Sequence, residues 1–304
     1  MTSIVFPGQG SQFIGMSKDF YDNFSISRAV LEEIEESTKL QLKKIIFEDP
    51  DNLLNLTQYT QICTFAASVM IFKALESSYL DNSKIDVMLG HSLGEYSALA
   101  CSNKLDLNDC SIILKKRGKL MSDTMDAGKS SMAALIGLSS SEVEKIISDN
   151  EIDLEIANDN SPIQVVVSGL NDIIDKSKEI FLANKIKKFI KLNVSAAFHS
   201  RYMLGAEKLL NLEIDKVNFI KNEVNIISNY SAEISNDTET IKNSLKRQMS
   251  NKVRWTESIK KLSSIGVNKI IEIGPGNVLS GLIKRISNNF DLKTINNISE
   301  IKNI

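Results

Sequence analysis

The chain has 304 residues, of which 42% are hydrophobic and 24% charged, so it can bury a sizeable core in one large domain with or without a small insert. Lys and Arg number 36 against 38 Asp and Glu, and the net charge of -2 gives no basic excess for nucleic acid or anionic membrane. Three cysteines without C-x-x-C spacing and only two histidines argue against a zinc site and favour a reducing compartment. With no signal-peptide pattern and no apolar run of membrane-spanning length, the sequence predicts a soluble, cytoplasmic protein.

Short β-like runs alternate with helical patterns along most of the chain, which predicts an α/β fold. Buried strands are expected at 4–6, 85–89, 225–228 and 269–273, and helices at 60–76 and 107–124. The tail after Asn288 is rich in Asn and Ile, and it predicts a peripheral strand at most.

The middle of the chain has a different pattern. Strands are expected at 131–137, 164–168 and 187–194, and helices at 140–149 and 172–182. This β-α-β-α-β order resembles a small split βαβ module inserted into a larger domain. We therefore expect a discontinuous catalytic core at 1–127 and 196–304, and a small subdomain at 128–195.

The strongest local motif is Gly90-His91-Ser92-Leu93-Gly94, which lies between a predicted strand and a helical stretch. A strand, a tight turn and a helix form the context of a nucleophile elbow, in which glycines permit the sharp turn. The helix N-terminus directs amide N–H groups at negative charge that develops beside the serine. The alternative is a plain glycine-rich turn, but the flanking pattern favours Ser92 as a nucleophile.

A serine nucleophile needs a general base, and the sequence offers only two histidines. His91 adjoins Ser92 in sequence, so its side chain is expected to point away from the hydroxyl. His199 is thus the candidate base, with a hydrogen-bonded core histidine as the alternative.

Arg117 lies in the middle of the apolar stripe of the helix predicted at 107–124, while the nearby lysines fall mostly on other faces. A buried guanidinium requires an anion, because an unpaired buried charge costs several kcal/mol, on the order of a broken buried ion pair. An internal Asp or Glu could supply that anion. A substrate carboxylate held by two parallel hydrogen bonds would serve equally well.

Two further strand ends carry turn motifs. Phe6-Pro7-Gly8-Gln9-Gly10 ends the first strand with a glycine-flanked glutamine, but it lacks the pattern of a phosphate-binding loop. The segment Glu272-Ile273-Gly274-Pro275-Gly276 is interpreted as a structural turn.

In combination, these segments resemble the malonyl-CoA:acyl-carrier-protein transacylases of fatty-acid synthesis over nearly the whole chain. The resemblance rests on motifs in a fixed order: Phe6-Pro7-Gly8-Gln9-Gly10-Ser11-Gln12, Gly90-His91-Ser92-Leu93-Gly94-Glu95-Tyr96, Arg117, Asn160-Ser161-Pro162-Ile163-Gln164-Val165-Val166, Ala197-Phe198-His199-Ser200, Gln248 ahead of Trp255, and Glu272-Ile273-Gly274-Pro275-Gly276. Each motif is weak by itself, and the ordered set is highly specific.

The resemblance implies a hydrolase-like α/β core with a mostly parallel sheet and a ferredoxin-like insert. It implies that Ser92 accepts malonyl from malonyl-CoA and passes it to the phosphopantetheine thiol of acyl carrier protein. His199 would take the serine proton and return it to the leaving thiol. Malonyl-CoA is then a substrate, and no permanently bound cofactor or metal is expected.

The family pattern also assigns expected roles to neighbouring residues. The backbone N–H groups of Gln9 and Leu93 would form the oxyanion hole, and the backbone carbonyl of Gln248 would orient the base histidine. Arg117 would bind the malonyl carboxylate. His91, Phe198 and Asn160 are expected at the pocket, and a phenylalanine before the histidine is typical of malonyl-selective members.

The sequence departs from the family pattern in two places. Ala196-Ala197 stands where a bulkier or proline-containing pair is common, and Arg254 replaces a frequent glutamine. Both changes affect the expected shape of the pocket and leave the candidate catalytic groups in place.

Three alternative functions share part of this pattern. A serine thioesterase or other hydrolase shares the G-x-S-x-G motif, but it should carry a later histidine and has no need of Arg117. A free-standing acyltransferase that loads a polyketide synthase carrier would use the same residues. A non-catalytic interaction protein should have lost Ser92, His199 or Arg117, and all three are present.

Carrier proteins are acidic, so a basic rim near the cleft is expected. The candidates are Lys115, Lys116, Lys119, Lys284 and Arg285. No nucleic-acid or membrane partner is expected, and a monomer is the default.

Overall fold

The computed structural model describes residues 1–81, 84–124 and 128–303, and it contains two separate β-sheets. The strands, in chain order, are β1 (Thr2–Phe6), β2 (Ile85–Gly90), β3 (Ser130–Ile136), β4 (Glu155–Ser161), β5 (Gln164–Leu170), β6 (Lys188–Lys191), β7 (Asn225–Ile227), β8 (Ile234–Ser235), β9 (Lys269–Ile273) and β10 (Asp291–Ile295). The α-helices are α1 (Lys18–Asn23), α2 (Ser25–Thr38), α3 (Leu42–Phe47), α4 (Thr57–Glu76), α5 (Gly94–Cys101), α6 (Leu107–Asp123), α7 (Ser140–Asp149), α8 (Asn171–Ala183), α9 (Leu204–Ile214), α10 (Thr238–Leu245), α11 (Trp255–Ser264) and α12 (Val278–Ile286).

The larger sheet has the strand order β10-β9-β1-β2-β7-β8. All of its neighbouring strands pair in parallel except β7 and β8. The central strands β1, β2 and β9 are buried almost throughout, which explains their continuous apolar runs. The four strands predicted for this sheet are confirmed within a few residues, and β10 forms an edge, as the tail predicted.

Helix α4 shows how the core of this layer is built. Nearly every one of its side chains is buried, because it packs against α2, α5 and α6 and touches the sheet. Helix α6 approaches it closely at Gly118, where an added Cβ would lie 2.9 Å from the Cα of Gln58. This close approach brings the buried face of α6 against α4.

The smaller sheet is entirely antiparallel, with the order β4-β5-β3-β6. The predicted β-α-β-α-β order is corrected here to β-α-β-β-α-β, because β4 was not expected. Its sequence Glu-Ile-Ala-Asn-Asp-Asn-Ser lacks an apolar run, yet most of its residues are buried. The strand expected at 187–194 is shorter and ends at Lys191.

An α/β fold with a mostly parallel sheet and a small ferredoxin-like subdomain confirms the predicted fold class. All four strands of the smaller sheet lie between Ser130 and Lys191. On that basis we propose the division into 1–127 with 196–304, and 128–195. Across the described residues, no helix is both long and apolar enough to cross a bilayer.

Candidate active site

The turn between β2 and α5 carries Ser92 in a strained left-handed conformation, with φ of +54°. A Cβ added at Gly90 would lie 2.0 Å from the carbonyl carbon of Gly94, and one added at Gly94 would lie 2.2 Å from the Phe6 oxygen. Only glycine fits at these two positions. The local geometry is therefore that of the predicted nucleophile elbow.

His199 faces this serine from a distant part of the chain. The Ser92 hydroxyl lies 2.8 Å from His199 Nε2, and His199 Nδ1 lies 3.0 Å from the carbonyl oxygen of Gln248 and 3.2 Å from that of Asn251. Because both carbonyls only accept hydrogen bonds, Nδ1 must carry the ring proton. Nε2 is then the acceptor, and the serine hydroxyl donates to it.

The histidine is only 4% exposed and adopts a φ of +54°. Burial, and after it the positive charge of Arg117, lowers its pKa to about 3. His199 is therefore neutral at physiological pH, as a general base must be.

Arg117 is fully buried on α6, on the stripe that the sequence predicted. Nη1 donates to Gln61 Oε1 at 2.6 Å, and Nη2 donates to Gln248 Oε1 at 2.9 Å and to Ser92 Oγ at 3.1 Å. Within the part of the chain that the structure describes, no Asp or Glu forms an ion pair with it, and its Nε has no hydrogen-bond partner. Of the two anions inferred from the sequence, no internal carboxylate among these residues contacts the guanidinium directly. The buried Glu95 reaches it only through Gln248 and by its charge.

The two residues expected to form the oxyanion hole lie at the cavity of Ser92. Gln9 and Leu93 both line the same cavity as Ser92, and neither backbone N–H donates a hydrogen bond to any described residue. Amides left free beside a nucleophile are suited to bind an oxyanion.

The cavity at Ser92 has a volume of about 100 Å³ and lies between the two sheets. Its described lining includes Arg117, His91 and Phe198, together with the small-subdomain residues Met132, Asn158 and Leu192. This volume suits a short acyl group.

Asn160 requires a correction. It was expected in the pocket, but Asn158, two residues earlier on β4, lines the cavity instead. Asn160 lies behind His91, whose Nε2 is 2.8 Å from its Oδ1. The His91 ring is thereby held away from the serine hydroxyl, as expected, and packs against Trp255 with ring centroids 5.6 Å apart.

Sequence reasoning missed four residues that hold the site together: Gln61, Glu95, Asn229 and Asn251. Asn229 Oδ1 accepts from the Ser92 amide at 2.6 Å, and its Nδ2 donates to the Gly90 carbonyl at 2.7 Å. Its position shortly after β7, at the carboxyl edge of the parallel sheet, was the available signal.

The candidate basic rim is partly engaged in other contacts. Lys115 donates to the Thr38 carbonyl, Lys119 pairs with Asp123, and Arg285 donates to Gln164. Lys284 and Arg285 are exposed near the end of α12.

Comparison with known proteins agrees with this geometry. The sequence model of the acyl transferase domain family matches residues 4–301 of this chain. The malonyl CoA-acyl carrier protein transacylase of Bacillus subtilis (strain 168) is 36% identical over 296 residues, covering 96% of this chain and 92% of the relative. The crystal structure of an acyl-carrier-protein-S-malonyltransferase from Bartonella henselae is 37% identical with a TM-score of 0.95, covering 99% of this chain and 97% of that one. A type II PKS acyl-carrier protein in complex with its malonyl-transacylase gives a TM-score of 0.94 at 31% identity, covering 99% and 97%.

Fold, site and comparisons together define an acyltransferase. The chain belongs to the acyl transferase family and, within it, to the group of malonyl-CoA:acyl-carrier-protein transacylases. The resemblance and the enzyme class predicted from the sequence are thus confirmed.

Proposed function

We propose that the protein transfers malonyl from malonyl-CoA to the phosphopantetheine thiol of an acyl carrier protein, through an ester on Ser92, and so supplies chain-extension units for fatty-acid synthesis. The observation that carries this proposal is the buried guanidinium of Arg117, which lies 3.1 Å from the nucleophile without an ion-paired carboxylate among the described residues. A malonyl group would supply the directly paired carboxylate that this cation lacks among the described residues, and a bidentate pair would also fix the orientation of the acyl group.

In the first half-reaction, Ser92 Oγ attacks the thioester carbonyl carbon of malonyl-CoA while His199 Nε2 takes the hydroxyl proton. The Gln9 and Leu93 amides bind the oxyanion of the tetrahedral intermediate. The C–S bond then breaks, and His199 returns its proton to the CoA sulfur. Malonyl remains on Ser92 as an ester.

In the second half-reaction, His199 takes the proton of the carrier's thiol, and the sulfur attacks the ester carbonyl. The C–O bond to Ser92 breaks and the serine recovers a proton from His199. The carbonyls of Gln248 and Asn251 keep the histidine in the required tautomer through both halves.

A second candidate, a free-standing enzyme that loads a polyketide synthase carrier, is favoured by one comparison. The solved malonyl-transacylase in complex with a type II PKS acyl-carrier protein shares the fold of this chain at a TM-score of 0.94. The chemistry at Ser92 would be the same, and the identity of the carrier would differ.

A hydrolase is the weaker alternative, because His199 Nδ1 is oriented by two backbone carbonyls and by no Asp or Glu of the described residues. A cytoplasmic, monomeric enzyme without a membrane or nucleic-acid partner remains part of the proposal. The three buried, unpaired cysteines are consistent with a reducing compartment.

The test is intact mass measured after brief incubation with equal malonyl-CoA and acetyl-CoA, followed by addition of a fatty-acid or polyketide holo-carrier. We expect one malonyl adduct on the wild type, no adduct on Ser92→Ala, and transfer to the added carrier. Ser97→Ala is the matched control, since Ser97 lies in α5 and its buried hydroxyl has no hydrogen-bond partner in the described parts of the chain. Release of free CoA without an adduct or a loaded carrier would refute the proposal and favour hydrolysis.

A further inference from the structure

Glu95 is the second residue of α5 and is fully buried three positions after the nucleophile. A buried carboxyl is costly unless hydrogen bonds compensate for its lost hydration. The transfer steps give this side chain no role, and its contacts lead to two residues of the site.

The two carboxylate oxygens of Glu95 differ in the hydrogen bonds that they accept. Glu95 Oε2 accepts hydrogen bonds from Gln248 Nε2 at 2.7 Å and from the Asn229 backbone amide at 3.1 Å. Oε1 has no hydrogen-bond partner in the structure as described. One carboxylate oxygen therefore connects two residues that both touch the site.

Gln248 transmits this contact to the cation. Its Nε2 donates to the Ser92 carbonyl oxygen at 2.8 Å as well as to Glu95, and its Oε1 accepts from Arg117 at 2.9 Å. Since the Ser92 carbonyl and Glu95 are both acceptors, they fix which end of the amide faces Arg117. A flipped amide would direct its NH₂ group at the guanidinium.

Asn229 transmits the second contact to the nucleophile. Its backbone amide is held by Glu95, while its side chain bonds the amide of Ser92 and the carbonyl of Gly90. The side chain thus spans the strained turn of the elbow. Glu95 therefore supports the turn through Asn229 and the arginine through Gln248.

We infer that Glu95 is a positioning residue for acyl selectivity: by accepting from Gln248 it orients that side chain, which in turn holds the Arg117 guanidinium for a carboxylate-bearing acyl group. This inference rests on the proposed malonyl transfer. An acetyl group has no carboxylate, so its transfer should depend far less on Glu95. The ratio of malonyl to acetyl transfer therefore isolates the effect from general damage to Ser92.

Burial raises the pKa of Glu95 to about 7, and this rise is opposed by Gln248, by the Asn229 amide, by the Ser228 hydroxyl and by the positive charge of Arg117. Charge and hydrogen-bond acceptance must then be separated by substitution. Glu95→Gln keeps the reach and one acceptor oxygen but removes the charge. Glu95→Asp keeps the charge but withdraws the oxygens from Gln248 by one methylene.

The experiment measures kcat/KM for serine acylation by malonyl-CoA and by acetyl-CoA in both variants. Losing one acceptor for Gln248 should lower the malonyl-to-acetyl ratio about tenfold or more in Glu95→Asp. Glu95→Gln should stay within about threefold of the wild-type ratio, because its acceptor is kept.

Glu272→Gln is the matched control. Glu272 is equally buried, and its carboxylate accepts from the backbone amides of Leu279 and Ser280 at the start of α12. This control should lose stability without a change in the ratio.

An unchanged ratio in folded Glu95→Asp, or an equal fall in Glu272→Gln, would overturn the inference. Should Glu95→Asp fail to fold, Gln248→Met replaces it as the variant, because it removes the amide that Glu95 orients, and the same loss of ratio is expected. A wild type that forms no malonyl ester would contradict the proposed function instead, so the two failures are distinguishable.

Discussion

Arg117→Met is the most informative single substitution at the acyl site. Methionine is unbranched and apolar, so it can occupy much of the buried space of the arginine stem without its charge. In the wild type the guanidinium is fully buried and bonded to Gln61, Gln248 and Ser92. Among the residues that the structure describes, Arg117 is the one cation hydrogen-bonded to Ser92, and the substitution removes it.

The expected loss of kcat/KM for malonyl-CoA follows from the surroundings of the malonyl carboxylate in the variant. A malonyl carboxylate in the cavity of Arg117→Met would be buried without a partner, and breaking a buried ion pair costs about 3–5 kcal/mol. That range corresponds to a fall of about 10² to 10⁴ in kcat/KM for malonyl-CoA. Acetyl-CoA carries no such carboxylate, so its rate should change by less than about tenfold.

The assay is stopped-flow or quenched mass measurement of serine acylation with each thioester, at equal protein stability checked by thermal unfolding. Lys119→Met is the control on the same helix, because Lys119 is largely exposed and forms an ion pair with Asp123 on the surface. An equal fall in kcat/KM for malonyl-CoA and for acetyl-CoA in Arg117→Met would show that the arginine supports the fold of the site and does not bind the acyl carboxylate.

Three further predictions concern the base, the elbow and the cavity. The pKa of His199 is lowered to about 3, so below the unfolded value of about 6.5 the unfolded chain binds a proton that the folded chain does not. The free energy of unfolding should therefore fall by up to about 1.4 kcal/mol for each unit by which the pH is lowered from about 6.5 towards 3. Between pH 7 and pH 5, urea unfolding should therefore show a smaller decrease in the free energy of unfolding for His199→Ala than for the wild type. An equal decrease in both proteins would contradict the assignment of this loss to His199. Gly90→Ala should destabilise the protein by about 3 kcal/mol, because the added Cβ would collide with the Gly94 carbonyl. Gly205→Ala in α9 should instead stabilise it by about 0.5–1 kcal/mol, because no described atom lies within 4 Å of the added Cβ. Equal effects of the two substitutions in thermal unfolding would refute the steric argument. Phe198→Ala enlarges the cavity of about 100 Å³, so kcat/KM for methylmalonyl-CoA should rise about tenfold relative to kcat/KM for malonyl-CoA. An unchanged ratio in the acylation assay would show that Phe198 does not limit the size of the acyl group.

Features that depend on neighbours along the chain were predictable from the sequence. The elbow at Ser92 was predictable because the glycines, the preceding apolar strand and the following helix lie within one short segment. The burial of Arg117 was predictable because helical periodicity assigns each residue of α6 to a face. His199 followed from the scarcity of histidines.

Other features required the tertiary structure, because they join residues that no periodicity relates. The side chains of Asn229 and Gln248 reach the Ser92 backbone from positions 137 and 156 residues away. Strand β4 escaped prediction since its polar residues are buried by hydrogen bonds and contacts from α11 and α12, which no local pattern records. Glu95 appeared as an ordinary helical glutamate, and only the packing of three distant segments around α5 made it the acceptor behind the site.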